Sequence, residues 1–263
     1  MVEEAQWEGV NMKATFLNHE KPLMTVILQC ETPDVAIGRI RNAFHSGGEA
    51  FGLQVESLLR EYQNEEVYRK LFSEMRGKPI YVTNYRGHRN IGRTDEELVE
   101  GLLKLADCGA TLVDVMGDFY DPQPDEVAID GMAIQKQMEL IDKLHSKGVE
   151  VLMSSHVKKF TPAERVLEIA MEQKRRGADI AKIVTGAENM EQQIENLRIT
   201  NLLKKELGIP FLFLSGGMSS IHRRLGMKLG CCMHLCVYEH DVRSTAAQPL
   251  LSVSKIIRDD MGF

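Results

Sequence analysis

Gly177-Ala178-Asp179-Ile180-Ala181-Lys182-Ile183-Val184-Thr185 sets a lysine inside an apolar, strand-like run that begins just after a glycine. The glycine stands where the preceding helical segment, Pro162 to Arg176, should stop, and the run after it has the composition of a buried strand. A buried ammonium is costly unless it is paired or gives up its proton, so Lys182 is a candidate amine nucleophile. The alternative is a packed stem with a charge that snorkels to solvent at the strand end.

The unit around Lys182 recurs along the chain. Strands are expected at Leu23 to Gln29, Phe51 to Glu56, Pro79 to Tyr85, Thr111 to Met116, Val149 to Ser154, Ile180 to Thr185, Phe211 to Ser215 and Met233 to Tyr238. Helical spacing runs through Pro33 to Ser46, Asn64 to Met75, Asp95 to Asp107, Gly131 to Ser146, Pro162 to Arg176, Met190 to Leu207, Ser219 to Leu229 and Ser252 to Asp260. Thr94-Asp95-Glu96-Glu97 and Thr161-Pro162-Ala163-Glu164 each place a hydroxyl ahead of a first turn with an acid three residues on. Such alternation describes an α/β fold, a single (β/α)8 TIM barrel over residues 21–263, with residues 1–20 as an N-terminal extension or barrel cap. Met12 to Leu17 is a short apolar stretch within that cap. An open doubly wound sheet competes, but its first strand would lead into a glycine-rich phosphate loop. Here it leads into Cys30-Glu31-Thr32-Pro33.

The chain of 263 residues is 43% apolar and 27% charged, with a formal net charge of −6. That balance gives no electrostatic reason to bind nucleic acid or an anionic membrane, while small anionic substrates remain compatible with a local cationic pocket. No apolar run approaches about 20 residues and Met1-Val2-Glu3-Glu4 lacks the regions of an export signal, so a cytoplasmic protein is expected. Cys30, Cys108, Cys231, Cys232 and Cys236 read as buried free thiols. Cys232, His234 and Cys236 share one strand face without a second ligand cluster nearby, so no metal is expected. The longest loop, Gly117 to Asp130, follows the fourth strand and is either a lid or a solvated insertion.

Barrel chemistry is done at the C-terminal strand ends. The fifth strand ends in Ser154-Ser155-His156, the sixth carries Lys182, Arg223 and Arg224 follow the seventh, and Ser244 and Gln248 follow the eighth. Adjacent strands lie roughly 5 Å apart, so His156 and Lys182 can reach one small substrate. His156 and the arginines disfavour a further positive charge beside them, and the barrel desolvates it, so a neutral amine is expected. Such an amine condenses with a ketone or aldehyde, and a histidine can take the proton that the iminium acidifies. Arg224 offers a planar fork for a carboxylate, with Ser244 and Gln248 as further donors. The duller alternatives are helix-surface charge for Arg224 and loop caps for Ser244 and Gln248. Arg86, His88 and Arg89 could lie over the pocket or in a solvated turn, and Asp114 would face the interior or a helix.

These strand ends resemble type I 3-dehydroquinate dehydratase over roughly residues 21–260. The most specific matches are Ser154-Ser155-His156-Val157-Lys158-Lys159-Phe160-Thr161-Pro162 and Gly177-Ala178-Asp179-Ile180-Ala181-Lys182-Ile183, followed by Arg224-Leu225 and Ser244-Thr245-Ala246-Ala247-Gln248. The resemblance implies a dimeric barrel that needs no metal or organic cofactor. It implies an imine between Lys182 and the C3 ketone of 3-dehydroquinate, with His156 removing a C2 proton, assisting loss of the C1 hydroxyl as water and then helping to hydrolyse the imine. It also implies that Arg224, Ser244, Gln248 and Arg86 bind the substrate.

The chain departs from the family in one group of residues. Where the family's second strand ends in Glu-x-Arg-x-Asp, this chain has Gly52-Leu53-Gln54-Val55-Glu56. The acidic partner of the histidine is replaced by Arg89 or Asn90, and Arg86 matches the family arginine only across a one-residue gap; otherwise Tyr85 takes its place. The carboxylate side survives and the hydroxyl side does not, so the substrate expected is 3-dehydroquinate or a related polyhydroxylated keto acid. A Schiff-base aldolase starts from the same imine, and a non-catalytic barrel that binds a small acid is the reading from a different class.

Overall fold

The computed structural model describes residues 14–217 and 220–262. Within them lie eight parallel strands: β1 (Leu23–Leu28), β2 (Ala50–Gln54), β3 (Ile80–Thr83), β4 (Leu112–Met116), β5 (Glu150–His156), β6 (Ile180–Thr185), β7 (Phe211–Ser215) and β8 (Met233–Cys236). Each pairs with its neighbour in sequence from β1 to β7, and β1 also pairs with β8, Leu23 opposite Met233. Across the remaining seam the Cys232 amide donates to the Phe211 carbonyl at 2.9 Å. The sheet therefore curls into a nearly closed (β/α)8 barrel, as the alternation of the sequence requires.

Helices α1 (Pro33–His45), α2 (Glu65–Glu74), α3 (Asp95–Cys108), α4 (Gly131–Ser146), α5 (Ala163–Arg175), α6 (Met190–Glu206), α7 (Ser220–Leu225) and α8 (Leu251–Asp260) form the outer layer. Side chains alternate along each strand. Val26, Leu28, Val113, Val115, Val151 and Met153 pack against helices, while Tyr81, Leu112, Leu152, Ile180 and Leu212 gather with Leu23 and Ile27 in a second cluster. Asp114, Ser154 and Lys182 stand on the inner face with that second set, each two residues beyond one of its members.

Of the two expected capping boxes, one forms: Thr94 accepts from the Glu97 amide at 3.3 Å and Glu97 accepts from the Thr94 amide at 2.8 Å. The other does not, because Pro162 stays extended (ψ 156°), the helix starts at Ala163, and the Thr161 hydroxyl donates to the Lys159 carbonyl instead. α7 stops at Leu225, short of the expected Leu229, where amides of Lys228 and Leu229 turn back to Leu225 and Gly226. Of the expected cap stretch, Met12 and Lys13 lie outside the described residues; residues 14–20 hold no strand. Phe16 is buried, and its amide donates to Glu150 at 2.9 Å at the start of β5, beneath the barrel.

Candidate active site

Register puts Lys182 of β6 opposite Ser154 of β5 and Leu212 of β7, with its amine inside the barrel and 4% of its surface exposed. The snorkelling alternative is thereby removed. Lys182 Nζ donates to Asp114 Oδ2 at 3.0 Å, to the Tyr81 hydroxyl at 2.9 Å and to the Tyr85 hydroxyl at 2.5 Å. Both phenols in turn donate to Asp114 Oδ2, and Ser154 Oγ donates to Asp114 Oδ1 at 2.5 Å. The amine thus sits against a carboxylate and two phenols, not among cations, and the desolvation of each charge is offset by the other. This corrects the expected surroundings of Lys182: Asp114, legible only as interior or helix-facing, is its counter-ion. Burial, with the Asp114 charge adding, pushes both phenols well above their usual range, so they hold their protons.

His156 ends β5 and shares the cavity with Lys182. Its Nδ1 is 2.7 Å from Glu126 Oε2, and its backbone amide donates to the same oxygen at 2.9 Å. The acidic partner missing from the aligned positions is therefore present, supplied by the β4–α4 loop. Asn90 and Arg89 do not take the role: Asn90 donates to Asn84 and to the Tyr85 carbonyl, and Arg89 pairs with Glu31. Glu126 lies at φ 51°, a left-handed turn that swings its carboxylate back over β5. Buried Arg176 pins this loop by donating to the carbonyls of Gly117 and Ala128 at 2.8 Å each. No local pattern marks Glu126; its signal is an acid in a long loop after a strand that neighbours the histidine. The Tyr85 ring meets the His156 ring edge to face at 5.1 Å, between the histidine and the amine.

Across a cavity of about 260 Å³ stand Gln29, Gln54, Glu56, Arg223, Thr245 and Gln248. Gln29 Nε2 donates to Gln54 Oε1 at 2.7 Å, and the Thr245 amide donates to Gln29 Oε1 at 3.1 Å. Glu56 is buried and accepts from the Thr83 hydroxyl at 2.9 and 3.0 Å and from the Tyr85 amide at 3.4 Å. Burial raises its carboxyl to about 7. Gln248 Oε1 is buried without a partner among the described residues. Arg223 uses Nε on the Ser215 carbonyl at 2.7 Å, and burial lowers its guanidinium to about 10. Val184, Leu214 and Leu235 complete an apolar side.

Of the substrate-binding residues expected from sequence, Gln248 lines this cavity, while Arg224, Ser244 and Arg86 are not among its lining residues. Arg223, one helix position before Arg224, occupies the wall. The Ser244 hydroxyl closes a turn with the amide and carbonyl of Asp241 at 2.9 Å each, the duller of its two readings. Arg86 forks onto Asp95 at 2.7 and 2.6 Å and onto Asp118 at 2.7 Å, outside the cavity. Tyr85 holds the inner position, as in the ungapped alignment, and His88 lines the mouth. At Gly52 an added Cβ would come within 2.4 Å of Ile27 Cδ1 and 3.0 Å of Tyr81 Cδ1, so these side chains fill the room a larger residue would need. His234 bonds Ser254 of α8, and among the described residues no three His, Cys, Asp or Glu side chains gather as a metal site requires.

A family model described as type I 3-dehydroquinase matches residues 24–256. A 3-dehydroquinate dehydratase of Geobacillus thermodenitrificans is 34% identical over 92 residues, a match spanning 34% of this chain and 36% of that relative's length. The fold is similar to the crystal structure of 3-dehydroquinate dehydratase from Geobacillus kaustophilus, with a TM-score of 0.79 at 17% identity over 92% of this chain and 91% of that one. The type I enzyme from Clostridium difficile, crystallised with covalently modified comenic acid, gives 0.77 at 18% identity, covering 92% and 93%. A deoxyribose phosphate aldolase from Aeropyrum pernix gives 0.56 at 17% identity, covering 89% of each chain.

Proposed function

Because the chain belongs to the type I 3-dehydroquinase family, we propose that it is a Schiff-base lyase that removes water from a cyclic keto acid, converting 3-dehydroquinate to 3-dehydroshikimate. The observation that carries this reading is one buried amine and one carboxylate-oriented imidazole facing the same small cavity. Lys182 attacks the ketone carbon and loss of the carbonyl oxygen as water leaves an iminium. Its positive charge draws electrons from the adjacent C–H bond, and His156 takes that proton. The electron pair forms the new double bond as the β-hydroxyl departs, receiving the proton from His156. Water then releases the product ketone and restores Lys182.

The substrate carboxylate meets Arg223, whose outer nitrogens hold no hydrogen bond among the described residues, with Gln248 beside it. Glu126 holds the imidazole ring in one orientation, as a carboxylate does for a histidine general base. A second reading keeps the chemistry and changes the substrate. Gly52 and Gln54 stand where the resemblance calls for Glu and Arg, and Tyr81 with the Gln29–Gln54 pair fills the space, which favours a keto acid with a different hydroxyl pattern. The experiment is borohydride reduction in the presence of 3-dehydroquinate, followed by peptide mass analysis, together with dehydroshikimate absorbance. A reduced adduct on Lys182 and turnover are expected. An adduct without turnover moves the assignment to the related keto acid, and no adduct with any cyclic keto acid defeats the imine chemistry.

A further inference from the structure

The elimination asks His156 to move a carbon-bound proton, but forming the imine is a separate proton problem. Converting an ammonium and a ketone into an iminium and water carries two protons from nitrogen to oxygen. His156 is not the group that touches the amine. Asp114 and the two phenols are, at 3.0, 2.9 and 2.5 Å. Of the phenols, Tyr85 lines the cavity, whereas Tyr81 is not among the lining residues.

Resting on the Schiff-base reading of Lys182, we propose that Tyr85 and Asp114 form the proton relay for imine formation and hydrolysis, with Tyr85 the acid that protonates the carbinolamine oxygen. The ammonium first gives one proton to Asp114 Oδ2, and the free amine attacks the ketone. The new oxygen is joined to the carbon that Nζ has just bonded, so a hydroxyl already in contact with Nζ is within hydrogen-bond reach of it. Tyr85 donates its proton there and is reprotonated from Asp114. The carbinolamine nitrogen then gives a second proton to Asp114, which returns through Tyr85 as the C–O bond breaks. Both protons end on the departing water, and no proton is exchanged with bulk solvent.

Three features of the geometry fit this role. Tyr85 donates to the same carboxylate oxygen that accepts from the amine, so the relay is a connected chain before substrate arrives. Its phenol is held well above the usual range by burial, which keeps it a donor rather than a phenolate. Its backbone is fixed by Asn90, which donates to the Tyr85 carbonyl at 3.0 Å, and its ring by the His156 edge at 5.1 Å. The labour is then divided: Tyr85 and Asp114 serve nitrogen and oxygen, and His156 serves carbon.

The test uses 3-oxocyclohexane-1-carboxylate, which has a ketone and a carboxylate but no hydroxyl to eliminate, so borohydride trapping on Lys182 reads imine formation alone. Rapid-quench trapping in Tyr85→Phe is expected to slow by roughly 10²-fold or more, the scale of a lost general acid. Asp114→Asn is expected to slow it comparably. His156→Gln should instead lose turnover of the hydroxylated substrate while its trapping rate stays within about threefold of wild type. Far-ultraviolet dichroism and a denaturant midpoint establish that each variant is folded; if Asp114→Asn is not, Tyr85→Phe, which keeps the ring, decides alone. Wild-type trapping with equally fast trapping in Tyr85→Phe overturns the relay and leaves the Schiff base standing. Absence of any Lys182 adduct in wild type, with this probe and with 3-dehydroquinate, overturns the Schiff base and the relay together.

Discussion

The two walls of the cavity differ in how far their polar groups are already committed. On the β3–β4–β6 side, Lys182, Asp114, Tyr81, Tyr85 and Ser154 bond to one another. Elsewhere around the cavity, among the described residues, Gln248 keeps an unpartnered oxygen, Arg223 is anchored through Nε, and Glu56 accepts from the Thr83 hydroxyl and the Tyr85 amide. The first wall holds its amine, carboxylate and phenols in fixed mutual contact, the preorganisation that the proposed imine chemistry calls for. The second leaves donors and acceptors for a ligand, with Gln54 and Gln248 among its residues.

Breaking the saturated wall should have the largest effect. Lys182→Met is expected to abolish trapping and turnover and, by leaving Asp114 buried without its cation, to destabilise the fold by about 3–5 kcal/mol in urea unfolding. Adding Asp114→Asn, whose neutral amide still accepts from the tyrosines, should recover at least half of that loss. No recovery would mean that the pair is not the source.

The open wall is tested by pH. Glu56 titrates near 7 in the folded chain against an ordinary value of 4.5, so between these values the folded state keeps a proton that the unfolded state has released. Stability from this group is therefore greatest below pH 4.5, falls as pH rises, and levels off above pH 7 at a loss of about 3 kcal/mol. Glu56→Gln should remove the dependence, so that its urea midpoint exceeds that of wild type above pH 7 and converges with it in acid. A constant offset at every pH would place the cause elsewhere.

Glu126→Gln sharpens the comparison, because Glu126 belongs to neither wall and acts only through His156. Its kcat is expected to fall about 10- to 10²-fold with KM nearly unmoved, the size of effect seen when an orienting partner is lost. A change confined to KM would assign Glu126 to substrate binding. The smallest effect is expected from Gly52→Ala, at about 1–3 kcal/mol of stability, from the contact of its Cβ with Ile27 and Tyr81. Ile27→Val, which deletes the Cδ1 atom concerned, should relieve most of it, as differential scanning calorimetry would register.

The barrel was legible because strand alternation, helical spacing and terminal glycines repeat locally, and the ends of β6 and β7 fell where the pattern put them. Lys182 and His156 were legible as polar residues on apolar strands. Glu126 was not, since its contact with His156 depends on a loop that doubles back and is fastened by Arg176 at the C-terminal cap of α5, a relation with no sequence period. Arg223 was displaced from Arg224 by a single position, which on a helix turns the side chain by about 100°. The cavity wall holds Arg223 and not Arg224, a difference of helical phase that residue type and spacing do not carry. Asp114 was visible as a buried acid, and its partner became evident only when β4 and β6 were seen to face one interior.

The close fit around Gly52 limits what position 52 can hold. A glutamate placed there would meet the Ile27 methyl and the Tyr81 ring before it met any substrate. A larger side chain at position 52 needs Ile27 or Tyr81 to give way, and shrinking Tyr81 removes a hydrogen bond from the amine. The size of residue 52 is thereby tied to the packing beneath the amine, so a bulkier side chain there would also disturb the setting of Lys182.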